Sequence, residues 1–109
     1  MQWCLLVLAG LAEVAFAFCL GKAKLAIGAE AVGWYAAFGG CAVLSFYLLN
    51  QSLAQIPLGT AYAVWTGIGA VGTAVAGVVA FGDPLTGLRL FFLVTLIGSV
   101  LGLQLVAYY

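Results

Sequence analysis

Trp3-Cys4-Leu5-Leu6-Val7-Leu8-Ala9-Gly10-Leu11-Ala12-Glu13-Val14-Ala15-Phe16-Ala17-Phe18-Cys19-Leu20 is an apolar run interrupted by a single acid. Its length falls within the roughly 17–25 residues that a helix needs to cross the hydrocarbon core of a bilayer. The carboxyl of Glu13 would then lie at membrane depth, where a charge costs about 2.5 kcal/mol or more. An ionisable residue in that position is by default a functional site, and for a carboxylate the ligand is an ion or a proton. The run begins almost at Met1, has no basic segment ahead of it and holds the acid in its interior, so it reads as a span and not as a secretory signal.

Outward from this stretch the whole chain has the same character. Of 109 residues 67% are hydrophobic and 6% are charged, against about 25% charged in a soluble domain. The class that follows is an all-α integral membrane protein. Further apolar runs at 32–49, 59–81 and 88–107 complete four spans, joined by short connections into one four-helix domain over residues 1–109. A transmembrane β-barrel would require two-residue alternation, and these runs are apolar throughout. Cys4, Cys19 and Cys41 fall inside spans without paired spacing and read as small buried hydrophobes, not as metal ligands or a disulfide. There is no His, no phosphate loop, no nucleophile–base pair and no basic patch. These absences point away from an enzyme, a metal centre or a nucleic-acid partner.

The connections orient the spans. The first, residues 21–31, carries Lys22, Lys24 and Glu30. The second, 50–58, is polar and uncharged and ends at Pro57, a suitable start for the third helix. The third, 82–87, holds the turn pair Asp83-Pro84, and Arg89 just beyond it can snorkel to the interface. Trp3, Trp34, Tyr108 and Tyr109 fall at span ends, where aromatic rings anchor. Every Lys and Arg lies on the side of the first and third connections. The positive-inside rule therefore makes those connections cytoplasmic and puts both termini outside. Glycines at 59, 67, 69 and 72 make the third span suited to close packing or to bending, and Gly98 with Gly102 forms a small-xxx-small pattern open to either packing or dimerisation.

One helical turn from Glu13 lie Ala9, Gly10, Phe16 and Ala17. Three of these are small, so the acid opens onto a cleft. On the third span Tyr62, Trp65, Thr66 and Gly69 share a stripe offering a phenol, an indole N–H and two π faces. Ser45 is the lone hydroxyl inside the second span, and it could equally back-bond to its own helix. A carboxylate flanked by aromatics suits an organic cation through charge, hydrogen bonds and cation–π contact. Desolvation disfavours the charged form of a carboxyl, so one group can hold either a proton or a cation. That competition is the simplest basis of proton-coupled antiport. Four helices make too thin a bundle to enclose a passage opening alternately to both sides. A dimer would supply eight helices and two such acids titrating as a coupled pair.

The triplet Ala12-Glu13-Val14, the segment Ser45-Phe46-Tyr47-Leu48-Leu49, Ile56-Pro57 with Gly59-Thr60-Ala61-Tyr62-Ala63-Val64-Trp65-Thr66-Gly67-Ile68-Gly69, and Asp83-Pro84-Leu85-Thr86 with Arg89-Leu90 together resemble the small multidrug resistance transporters over nearly the whole chain. The helix-three segment is most similar to the guanidinium-exporter branch. The resemblance implies an antiparallel dimer of four-helix subunits in the bacterial plasma membrane, exchanging protons for small guanidinium-type cations and needing no cofactor beyond the coupling proton. It implies that Glu13 binds proton and substrate, that Ser45 and Trp65 hydrogen-bond and orient Glu13, that Tyr62 lines or gates the pocket with Phe16 near it, and that Gly10 leaves room for the ligand. A planar guanidinium can meet a carboxylate through two parallel hydrogen bonds. The departures are Phe16, where the branch usually carries Trp, Gly21, where it carries Lys, and a first connection about three residues longer. Phe16 favours the alternative of a quaternary-ammonium or aromatic-cation exporter; a non-transporting membrane subunit is the rival from another class. Homodimers of the family insert both ways, which needs little basic bias. The one-sided Lys and Arg therefore lead to the expectation of an antiparallel heterodimer with a paralogue, the homodimer being the alternative.

Overall fold

The computed structural model describes residues 2–106 and is entirely helical in its regular structure. Four helices follow one another: α1 (Gln2–Leu25), α2 (Ala29–Ser52), α3 (Leu58–Phe81) and α4 (Gly87–Leu105). All four are long and apolar enough to cross a membrane. At 1.5 Å per residue the 24-residue helices reach about 36 Å, enough for a hydrocarbon core of about 30 Å.

The helices outrun the apolar runs. α1 continues five residues past Leu20 and takes Lys22 and Lys24 into its last turn. Lysine is a good helix former, and positive charge complements the C-terminal end of the helix dipole. The first connection is thus residues 26–28 instead of 21–31, turning at Gly28, whose φ of +66° lies in the left-handed region. α2 likewise runs on to Ser52, which leaves 53–57 as the second connection. The end of the fourth span at Ala107 and the anchors Tyr108 and Tyr109 lie outside the described residues.

Each remaining boundary has a local cause. Pro57 stands at the N-cap of α3, as its missing N–H allows. Gly82 closes α3 in the left-handed conformation, and the Asp83 amide then bonds the Gly77 carbonyl at 3.0 Å. The Thr86 hydroxyl caps α4 by accepting from the Arg89 amide at 3.1 Å. The Arg89 guanidinium folds back to donate to the Pro84 carbonyl at 2.7 Å.

α1 lies between α2 and α3, and α4 rests against α3 alone. The α1–α3 seam is built on side chains entering glycine positions. Gly10 receives Ile68, and a Cβ there would stand 2.6 Å from Ile68 Cγ2. Gly72 receives Val14, and Gly67 receives Val100 of α4. Close packing is therefore what Gly67 and Gly72 of α3 do in this arrangement, whereas a Cβ at Gly59 would meet nothing within 4 Å. By contrast, a Cβ at Gly98 or Gly102 would meet nothing within 4 Å. The small-xxx-small face of α4 is open in the single chain. The four helices form a slab of 50 × 35 × 17 Å, less than two helix diameters thick at about 10–12 Å each.

Candidate functional site

The site grows from the α1–α2–α3 contact. Leu6, Ala9, Leu49, Ile56, Ala61, Val64 and Trp65 form the buried cluster that fixes these helices. Set among them is Ser45, fully buried on α2. Its hydroxyl donates to the Ala9 carbonyl at 2.7 Å, and the Trp65 indole N–H donates to the Ser45 oxygen at 2.9 Å. The chain Trp65 to Ser45 to Ala9 ties three helices together. In an α-helix the Ala9 carbonyl is also the acceptor for the Glu13 amide, four residues on. Ser45 thus grips the turn that presents the acid. Of its two possible bonds, Ser45 makes the one across to α1 and not a back-bond within α2.

Glu13 projects from α1 toward α3. Its side chain is half-buried, and its Oε1 is buried without a hydrogen-bond partner. The carboxyl lies against the backbone of Gly69, where any Cβ would overlap it. Neither Ser45 nor Trp65 bonds it: each has one proton to donate, and both are committed to the Ala9 chain. The resemblance implied direct hydrogen bonds from these two residues to Glu13. The geometry instead has them hold its backbone turn.

Aromatic rings continue from this core. Trp65 lies 5.2 Å from the Phe46 ring and 5.4 Å from that of Tyr62. Phe16 stacks on Phe46 at 6.4 Å and meets Phe38 edge-on at 5.5 Å. Tyr62 is 55% exposed, so its face and hydroxyl remain available to a ligand. Phe16 thus packs its ring against α2. The space beside Gly10, expected to admit a ligand, is filled by Ile68. Of the α3 stripe, Trp65 and Gly69 are buried while Tyr62 and Thr66 are exposed beside them.

Reading the sequence missed Phe38, and it placed Ala9 and Gly69 near the acid without the backbone roles they take. Phe38 precedes Ser45 by seven residues and so shares its stripe, a signal that was available. The Ala9 carbonyl and the Gly69 backbone carry no side-chain signal at all.

Electrostatically, the acid is isolated. Every other charged side chain among the described residues lies in a terminal helical turn or a connection. Lys22, nine residues along α1 and about 13 Å away by helical rise, is held over the rings of Phe18 and Phe81 at 5.6 and 5.7 Å. Among the described residues no group of His, Cys, Asp and Glu could hold a metal ion, and the three cysteines are free. A cavity of about 470 Å³ between α1, α3 and α4 does not include Glu13 in its walls. It is an apolar groove on the other flank of α3, unsuited to the chemistry of a carboxylate.

The sequence pattern of the Small Multidrug Resistance protein family matches residues 1–97. A protein named Guanidinium exporter from Escherichia coli (strain K12) is 39% identical over 109 residues, covering 96% of this chain and 97% of that relative. One of the same name from Salmonella typhimurium (strain LT2) is 37% identical over 112 residues, covering 99% and 100%. A probable guanidinium efflux system subunit, GdnD of Bacillus licheniformis, is 49% identical over 63 residues, a match spanning 58% of this chain and 61% of the relative.

Proposed function

The chain belongs to the small multidrug resistance family, and on that premise we propose that it is a transporter, not an enzyme, exporting guanidinium-type organic cations in exchange for protons. It is a multi-pass membrane protein, with four helices able to span the bilayer. The observation that carries the proposal is the isolated Glu13 carboxyl: among the described residues the only charged side chain in a helix interior, half-buried, with no counter-ion and one unpartnered oxygen. A permanent ion pair would block exchange, and none is in reach. A guanidinium offers two parallel N–H groups to such a carboxylate, and the open face of Tyr62 beside Trp65 suits a flat cation. The names of the near full-length relatives support the same substrate class.

The working unit in this proposal is an antiparallel dimer. A slab 17 Å thick has no room for an enclosed passage, and Glu13 sits on its half-open surface. Lys22 and Lys24 end α1 while Arg89 begins α4, so all the basic residues share one end of the helices. With that bias the first and third connections face the cytoplasm. The partner of opposite orientation would then be a different polypeptide, in keeping with the word subunit in the name of the Bacillus relative.

The test is counterflow of guanidinium in proteoliposomes under an imposed proton gradient. The chain is reconstituted alone and with a neighbouring paralogue, each with and without Glu13→Gln. Gradient-driven transport lost in the Gln variant supports the exchange. Full transport by the chain alone would remove the case for a heterodimer.

A further inference from the structure

The α1–α3 seam has four side chains seated at glycines: Ile68 at Gly10, Phe81 at Gly21, Val14 at Gly72, and Glu13 at Gly69. Three of these are ordinary apolar knobs. The fourth is the proposed transport acid, adjacent in sequence to the Val14 knob. Glu13 therefore occupies a packing position, with its carboxyl against the Gly69 backbone.

Its oxygens are not equally served. Oε1 is the buried, unpartnered atom, and what faces it is the glycine backbone, which offers at most weak Cα–H contacts. A carboxylate charge shared onto that oxygen would be partly desolvated without a partner; an uncharged carboxyl would leave only one unbonded carbonyl there. No other ionised group alters this balance. On α1 the charges are Lys22 and Lys24 in the last turn, on α2 Glu30 in the first, and on α4 Arg89 in the first, with Asp83 in the third connection. The remaining titratable side chains on these helices are Tyr62 on α3, two turns from Gly69, Tyr35 and Tyr47 on α2, and the thiols of Cys4, Cys19 and Cys41.

We propose that Gly69 is a positioning residue whose missing side chain forms a notch on α3 that receives the uncharged carboxyl of Glu13. Proton loading then seats the acid in the seam, and meeting a cation requires it to leave. The inference rests on the exchange function proposed above and adds where the acid goes between cations. It also explains why α3 needs glycine one turn after Trp65: the notch must be as deep as a Cβ.

The experiment uses the full chain in the oligomeric form that binds guanidinium, with infrared spectroscopy of the protonated carboxyl and proton release on addition of guanidinium hydrochloride. In the wild type at acid pH the Glu13 carbonyl band should lie at the position of an unbonded carbonyl; a hydrogen-bonded position overturns the proposal without any variant. Gly69→Ala meets only the far end of a flexible side chain, so the helices should still pack while the carboxyl is displaced. The band should move to the hydrogen-bonded position, and proton release at fixed pH should fall. Glu13→Asp retracts the carboxyl by one methylene, so in the double variant release should recover to the level of Glu13→Asp alone. An unmoved band in Gly69→Ala, or no recovery in the double variant, overturns the notch. Unimpaired proton release by Glu13→Gln would instead sink the exchange function itself.

Discussion

Trp65 donates to Ser45 at 2.9 Å, and through the 2.7 Å bond from Ser45 to the Ala9 carbonyl it holds the backbone turn of Glu13 without touching the carboxyl. The acid is thereby fixed at its root, while its Oε1 has no hydrogen bond. That division suits a group that must exchange ligands: rigid side-chain bonds to the carboxylate would have to break in every cycle, whereas bonds to the turn need not.

Ser45→Ala should destabilise the protein by about 1–3 kcal/mol, because it strands a buried indole N–H. Trp65→Phe with Ser45→Ala should cost less than the sum of the two single changes, the mismatch being at least about 0.5 kcal/mol. Thermal melts of the four proteins in detergent measure this cycle. Strict additivity would show that the chain of bonds does not form.

The glycine seam predicts a contrast between two helices. Gly72→Val drives a side chain into Val14 and should cost about 1–3 kcal/mol through overpacking. Gly98→Val has no neighbour within 4 Å inside the chain and should leave the single chain's fold intact. Any loss at Gly98 would appear as reduced subunit association in cross-linking. Equal melting losses at the two positions would contradict the packing described.

Competition at one carboxyl fixes the sign of the pH dependence. Acidification fills Glu13 with protons, so the cation must displace them, and apparent affinity should weaken by up to about tenfold per pH unit toward acid for one proton displaced. Making the medium more alkaline should strengthen binding until no proton remains to be displaced. Titration calorimetry with guanidinium across a pH series tests this. Affinity independent of pH would mean that proton and cation do not share the site.

The one-sided basic residues predict that orientation can be reversed. Replacing Lys22, Lys24 and Arg89 by Gln while placing Lys at Gln51 and Gln55 should bring the second connection to the cytoplasmic side. A reporter fused to the C-terminus reads the change. An unaltered C-terminal location would show that these charges do not set the topology.

Much of this was legible in the sequence, because a bilayer leaves few alternatives. Runs of apolar residues at 3–20 and 59–81 can only be spans, and Glu13 stands out in the first because nothing else in it is polar. The helix ends were less legible: Lys22 and Lys24 mark the edge of the hydrocarbon, not the edge of α1, since a snorkelling lysine is content within a helix. The site was legible in its side chains and not in its backbone. Ser45, Tyr62 and Trp65 announce themselves by chemistry. The partner of Ser45 is a carbonyl of an alanine, and the surface beneath Glu13 is a glycine, so neither gives a sign until the helices are placed. The room expected at Gly10 illustrates the same limit: a glycine can admit a ligand or a neighbour's side chain, and only packing decides that it is Ile68.

The central claim is that one carboxyl, Glu13, carries the proton and the cation in turn. Proton release on adding guanidinium to weakly buffered, detergent-solubilised protein tests it most directly. The wild type should acidify the solution as the cation binds, and Glu13→Gln, folded to the same melting temperature, should neither bind nor release protons. Proton release or gradient-driven export by the Gln variant would contradict the account.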